Sequence, residues 1–300
     1  MDLPPATGIS ENTERAVNSD LRIFTRWCGE RGEAALPATA ETIAAFVDAM
    51  AEMRAPATVR RYVASIVVAH RAVGMEKTVR SPPVRLALER MRRRKGRHQG
   101  HVHGLTAPLR QRMLEASGDR LIDIRNRALL AVAYDSMLRR SELSSLHVPD
   151  LLVETGGGAM LLVRDRKIYG EQPGEIVWIA PDTVRLVRAW LAESGIVDGP
   201  LFRSVRKGGT IGEGLHPSQV PRIFKAMARE AGLPDAVVEG LSAHSARVGA
   251  AQDMIAAGIE LPEILQAGRW KSATMVNRYA KRLLAERSAA AQLARLQHRD

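Results

Sequence analysis

The chain has 300 residues, 45% of them hydrophobic, enough for one large domain or two ordinary ones and too apolar for disorder throughout. A net charge of +11, carried mostly by arginine, makes nucleic acid the first partner to consider; an ordinary soluble protein with a high arginine content is the plain alternative. The single cysteine, Cys28, excludes an intramolecular disulfide and fits a reducing, cytoplasmic setting, no apolar run is long enough for a membrane helix, and the opening MDLPPATGISENTE lacks the basic-then-apolar layout of a secretory signal.

Aromatic residues are only 4% of the chain and the apolar mass is Ala, Leu and Val, so helix is expected to dominate. Residues 11–94 predict four or five helices. The first carries Val17, Leu21, Phe24 and Trp27 at helical spacing, with Cys28 among them as a buried structural thiol. TAETIAAFVDAMAEM opens on a Thr-x-x-Thr cap, APATVRRYVASIVVAHRAVG has Thr58 as a cap and Gly74 as a stop, and SPPVRLALERMRRRKGR opens on prolines. The last of these runs into Arg92, Arg93, Arg94, Lys95 and Arg97. Five cations in six residues repel one another, so a linker lying along a phosphate backbone accounts for them better than an ordinary solvated hinge. His101 and His103 lack cysteine or carboxylate companions and do not predict a metal site. The boundaries expected are residues 1–98 for a helical N-terminal domain, 99–106 for the linker and 107–300 for a larger second domain.

In that second domain, DIRNRALLAVAYDSMLRRSELSSL predicts a buried helix, an interruption near Met137 and a new helix near Ser141. Two strands follow around a turn, Ala159–Arg164 and Glu175–Ile179, and helices return after Pro181. The stretch LSAHSARVGAA places His244 and Arg247 on one face of a helix, about 5–6 Å apart at Cβ, among small residues that let another backbone approach closely. Alone, His-x-x-Arg is a weak motif, and a satisfied core histidine beside a paired arginine is its commoner meaning. GIELPEILQAGRWKSATMVNRYAKR then predicts a helix from Pro262 to about Gly268, Trp270, and a short helix capped by Ser272 that carries Tyr279. Leu283, Leu284, Ala289, Leu293 and Leu296 form a closing apolar stripe.

These last segments, with DIRNRALLAVAYDSMLRRSEL before them, resemble the tyrosine site-specific recombinases of the phage integrase family. The resemblance is clear over 122–146 and 241–280, weaker from 105 to 121 and from 155 to 180, and architectural before residue 100. It implies a mainly α protein: a helical core-binding domain, then an α+β catalytic domain with a small antiparallel sheet. It places catalytic roles on Arg139, with the adjacent Arg140 as competitor, on the supporting Glu142, on Lys167 of the hairpin, with Arg164 and Arg166 close by, and on His244, Arg247 and Tyr279. Trp270 stands where most members have histidine and a subset has tryptophan. The partner implied is double-stranded DNA with a specific target site, bound as a dimer per site and a homo-tetramer on two sites. The resemblance implies that a helix beyond the tyrosine docks on a neighbouring protomer, with docking on its own domain as the plain alternative.

The residues support this chemistry independently. Of the four tyrosines, Tyr62 and Tyr134 sit in apolar helical patterns and Tyr169 on the hairpin loop, whereas Tyr279 lies in a short polar helix beside Arg278 and Lys281. A phenol has a pKa of about 10 and attacks poorly at neutral pH unless cations and a base assist. Two arginines, each offering paired donors to phosphate oxygens, can stabilise a pentacoordinate transition state, so neither metal nor another cofactor is expected. Arg60 and Arg61, the run Arg92–Lys95, Arg140, and Gln219 with Arg222 are candidates for DNA contact. A type IB topoisomerase-like enzyme and a catalytically silent DNA-binding protein are the alternatives.

Overall fold

The computed structural model describes residues 11–96, 102–153, 156–164, 174–279, 288–297 and 299. The chain divides into two compact units, Met1–Gly100 and His101–Asp300, each with its own core. The architecture is mainly α, with one small antiparallel sheet.

Among the described residues, the first unit holds five helices: α1 (Glu11–Gly29), α2 (Ala40–Met53), α3 (Pro56–Ala72), α4 (Glu76–Val79) and α5 (Pro82–Lys95). Its few aromatics are concentrated: Phe24 and Trp27 meet Phe46 edge-on at 4.9 and 5.4 Å between ring centres, and Tyr62 joins them. Cys28 lies fully buried in this core, and burial, with Glu33 adding to it, pushes its thiol up to about 11. Thr39 caps α2 by accepting from the Thr42 N–H, as its motif predicts. Thr58 caps nothing, because α3 starts two residues earlier on Pro56, whose missing N–H and fixed φ suit a first turn.

The basic run is helical through Lys95 rather than linker. It lies against α2: Arg90 pairs with Asp48, Arg94 with Glu52 at 2.7 Å, and the Lys95 ammonium donates to the carbonyls of Glu52 and Arg54, where the helix dipole favours a cation. Residues 103–106, expected as linker, are pinned to the second unit. The His103 N–H donates to Gly240 O and the Leu105 N–H to Ser245 O, and Leu105 is fully buried.

The second unit continues with α6 (Ala107–Ala116), α7 (Leu121–Ser136) and α8 (Arg140–Ser144), then β1 (Leu151–Val153), β2 (Ala159–Val163) and β3 (Glu175–Ile179). The three strands pair antiparallel in sequence order, with Leu161 opposite both Leu151 and Val177. Among the described residues, the helices α9 (Pro181–Ser194), α10 (Gln219–Glu230), α11 (Asp235–Gly240), α12 (Ser245–Ala257), α13 (Leu261–Gly268), α14 (Thr274–Tyr279) and α15 (Ala289–Leu296) follow. The small residues of α12 have a direct cause. The 103–106 segment crosses the helix at Gly249, where an added Cβ would lie 1.9 Å from the Leu105 carbonyl oxygen. A second cluster, Met137, Ala250, Ala251, Ile255, Ile264 and Val276, binds the end of α7 to α12, α13 and α14. Each of its larger side chains contributes roughly 1.5–3 kcal/mol by burial. Among the described residues, no helix is long and apolar enough to cross a membrane, and no three His, Cys, Asp or Glu side chains cluster to hold a metal ion.

Candidate active site

Arg247 lies at the centre, 4% exposed in the first turn of α12. Its Nη1 donates to Met137 O at 2.5 Å and its Nη2 to Gly268 O. Both carbonyls are delivered by local chain geometry. Met137 ends α7 in the left-handed conformation, φ 51°, which turns the chain into α8 and aims its carbonyl at α12. Gly268 ends α13 beneath Trp270, and a Cβ there would stand 2.3 Å from the indole ring. Among the described residues, these two carbonyls occupy two of the five guanidinium N–H donors. Burial first, and then the charges of Arg139 and Arg269, pull the Arg247 guanidinium down to about 10, while Glu142 and Tyr279 oppose this. The group is still charged at neutral pH, and its hydrogen-bond acceptors are neutral carbonyls.

The Trp270 ring centre lies 4.7 Å from the Arg247 guanidinium carbon and 6.0 Å from the Tyr279 ring centre. Tyr279 ends α14, is partly buried, and its carbonyl accepts from Gln252 Nε2 of α12 at 3.0 Å. His244 is the residue before α12 rather than part of its first turn, and it is exposed at the surface while protein atoms crowd its ring. Burial first, then Arg247, Arg140 and Arg139, hold its imidazole below its ordinary value, so it is mainly neutral at pH 7.

Arg139 precedes α8, half-exposed. Its N–H donates to Glu142 Oε2 and its Nη1 to Glu142 Oε1, each at 2.7 Å. Burial alone raises the Glu142 carboxyl, but the hydrogen bonds from Arg139, with Arg269 behind it, outweigh that and hold it below the carboxylate range. Arg269 Nη2 reaches Glu142 Oε2 at 2.5 Å and Nη1 reaches Glu175 Oε2 at 2.9 Å. Sequence reasoning missed Arg269, because a contact across 127 residues leaves no local pattern. Arg140 is exposed and acts on His244 through its charge. Lys167, Arg166 and Tyr169 lie outside the described residues. Arg164 is described, and its Nε is held at 2.8 Å by the buried Asp150. Tyr134 donates to Asp253 at 2.5 Å and is only partly buried, and Tyr62 is buried.

The candidate DNA-contact residues divide. Arg60, Arg92 and Arg93 are exposed and, among the described residues, make no ion pair. Arg60 and Arg92 line a shallow cleft together with Arg85, which sequence reasoning missed. Arg61 faces inward as much as outward, because the buried Asp20 takes its Nη2 at 2.8 Å. Arg94 and Lys95 are engaged with α2. In the second unit, Gln219 is the first residue of α10 and partly buried, and Arg222 is exposed on that helix.

A buried arginine and a tyrosine either side of one indole, with a second arginine aligned by a carboxylate and a histidine held below its ordinary value by burial and these cations, are a set suited to an oxyanion such as phosphate. The model of the phage integrase family matches residues 84–285, and the chain belongs to that family, the tyrosine recombinases, which are DNA strand-transferring enzymes. Recombinase cre of Escherichia phage P1 is 30% identical over 301 residues, covering 95% of this chain and 88% of cre. An integrase/recombinase xerD homolog of Selenomonas ruminantium is 29% identical over 286 residues, covering 90% of this chain and 81% of the homolog. Among solved structures, the Tn1549 transposon integrase in complex with circular intermediate DNA superposes with a TM-score of 0.67 at 13% identity, covering 91% of each chain. A lambda integrase dimer bound to a COC′ core site gives 0.62 at 19% identity, covering 91% of this chain and 73% of the integrase.

Proposed function

We propose that this protein is a conservative site-specific recombinase that cuts and rejoins double-stranded DNA through a 3′-phosphotyrosine on Tyr279, resembling cre in its chemistry. The observation that carries the reading is the Arg247–Trp270–Tyr279 arrangement. A desolvated guanidinium that, among the described residues, donates only to two neutral carbonyls stands within electrostatic reach of the only described tyrosine beside this group of cations.

Arg247 and Arg139 bind the non-bridging oxygens of the scissile phosphate and stabilise the charge that grows in the transition state. The positive charge of Arg247 stabilises the negative charge that develops on the attacking Tyr279 oxygen. The neutral His244 accepts or shares the tyrosine proton. Trp270 has no basic nitrogen. Its indole N–H donates to phosphate, and its ring holds α14 against α12. Lys167 protonates the departing 5′ oxygen. The bond energy stays in the phosphotyrosine, so a second 5′ hydroxyl reverses the step without ATP or metal.

Phosphate contacts from Arg60, Arg85, Arg92, Arg93 and Arg140 fix the register, and Gln219 with Arg222 reads bases. Two protomers occupy each site and four make the synapse. Solved relatives hold DNA in their structures, which supports duplex DNA as the substrate here. The test takes the full chain, selects a bound duplex from a random-sequence library, nicks it near its centre and follows a denaturation-resistant adduct. An adduct that Tyr279→Phe abolishes, with recombination between two copies of the site, is expected. Relaxation of supercoiled plasmid lacking the site, without recombination, would instead indicate a topoisomerase-like enzyme.

A further inference from the structure

Arg269 adopts φ 50°, ψ 46° at the end of α13, a left-handed position where glycine is the low-cost residue. Its side chain is only 9% exposed, and its Nε is buried with no hydrogen-bond partner among the described residues. A long cation held in unfavourable backbone geometry, with one donor unsatisfied, needs an offsetting interaction. The two Nη groups supply it by spanning two carboxylates, Glu142 Oε2 at 2.5 Å and Glu175 Oε2 at 2.9 Å. Glu142 in turn holds Arg139 through both its N–H and its guanidinium. Glu175 is the first residue of β3. The flanking residues are Gly268, whose carbonyl takes Arg247, and Trp270.

We propose that Arg269 is a positioning residue for strand cleavage: it fixes Glu142, and through Glu142 aims the Arg139 guanidinium, while tying the start of β3 to the turn that carries Trp270. This rests on the functional reading above. Arg269 touches no reacting atom and acts on the transition state through Glu142 and Arg139. Lysine offers one compact ammonium where this geometry needs a planar fork, so it satisfies one carboxylate and not both.

The charged groups facing Glu142 are Arg139 from the start of α8, Arg269 from the end of α13 and, through its charge, Arg247 of α12, and His147, Asp150 and Arg164 line the cleft beside it. Because Arg139 and Arg269 together hold the Glu142 carboxyl down, removal of Arg269 lets it rise. Glu142 then protonates and releases Arg139 at a higher pH, so the acidic limb of cleavage moves toward neutrality.

The experiment measures single-turnover adduct formation on the nicked, library-selected duplex with wild type, Arg269→Met, Arg269→Lys, Glu142→Gln and the Arg269→Met/Glu142→Gln double variant. Arg269→Met is expected to bind the duplex within about twofold of wild type, form adduct at least tenfold more slowly, and show the shifted acidic limb; Arg269→Lys recovers part of the rate. The double variant is expected to be no slower than the slower single variant, since both act through Arg139. Arg269→Met cutting at the wild-type rate, or losses that multiply in the double variant with an unmoved pH profile, overturn the assignment. A wild type that forms no Tyr279-dependent adduct overturns the functional reading itself.

Discussion

Arg247 and Arg139 differ in how they are held, and the difference sets what each can do. Arg247 is buried and fixed by two carbonyls, whereas Arg139 is half-exposed and aligned by one carboxylate. Arg247→Lys cannot reach both carbonyls and still present a fork to phosphate, so it is expected to slow adduct formation at least about 100-fold, roughly 2.7 kcal/mol, with duplex binding little changed. A His244 imidazole crowded by protein atoms and three arginines titrates below its ordinary value in the DNA-free chain. Its NMR titration midpoint is expected to lie below about 6.5 and to rise in Arg140→Ala. An unmoved midpoint would mean that Arg140 does not contribute and that burial, Arg247 and Arg139 set it. At this scale the family resemblance pointed to Arg139 and Glu142 and to His244, Arg247, Trp270 and Tyr279, which lie in short stretches of the chain. It did not show Arg269 or Asp20, whose partners lie far along the chain and come together only in the fold.

Among the elements, α5 separates cations by what they already touch. Arg94 and Lys95 are engaged with the end of α2, and Arg92 and Arg93 are not. Arg92→Ala and Arg93→Ala are expected each to reduce the slope of log binding constant against log salt by about 0.9, with unchanged melting temperature. Lys95→Ala is expected to lower the melting temperature of the first unit and change the slope less. Equal slope changes for all would show that α2 releases its partners to DNA. On α12, Gly249→Ala forces a Cβ into the Leu105 carbonyl. Denaturant unfolding is expected to show a loss of about 3 kcal/mol or more. Helix positions were legible because their apolar period and caps are local. β1 was not, since three residues, Leu151–Val153, are too few to carry a period and become a strand only by pairing with β2.

For the molecule as a whole, the positive charge falls on both units, 17 cations against 11 anions in residues 1–100 and 27 against 22 beyond, so both are suited to the same polyanion. At its far end, α15 exposes Leu293 and Leu296 at 50% and 79%; Leu283 and Leu284 lie outside the described residues. If this segment docks on a second copy, truncation after Leu284 is expected to leave binding to one half-site intact, remove cooperative filling of two and abolish recombination. Gel shifts on one and two half-sites check this, and unchanged cooperativity would show that the helix packs on its own chain. Most direct for the central claim is mass spectrometry of the covalent complex formed on the nicked duplex. The expected result is a single nucleotide-bearing peptide with the phosphate on Tyr279, absent in Tyr279→Phe. A phosphate on Tyr134, Tyr169 or any serine, or an adduct that survives Tyr279→Phe, would contradict it.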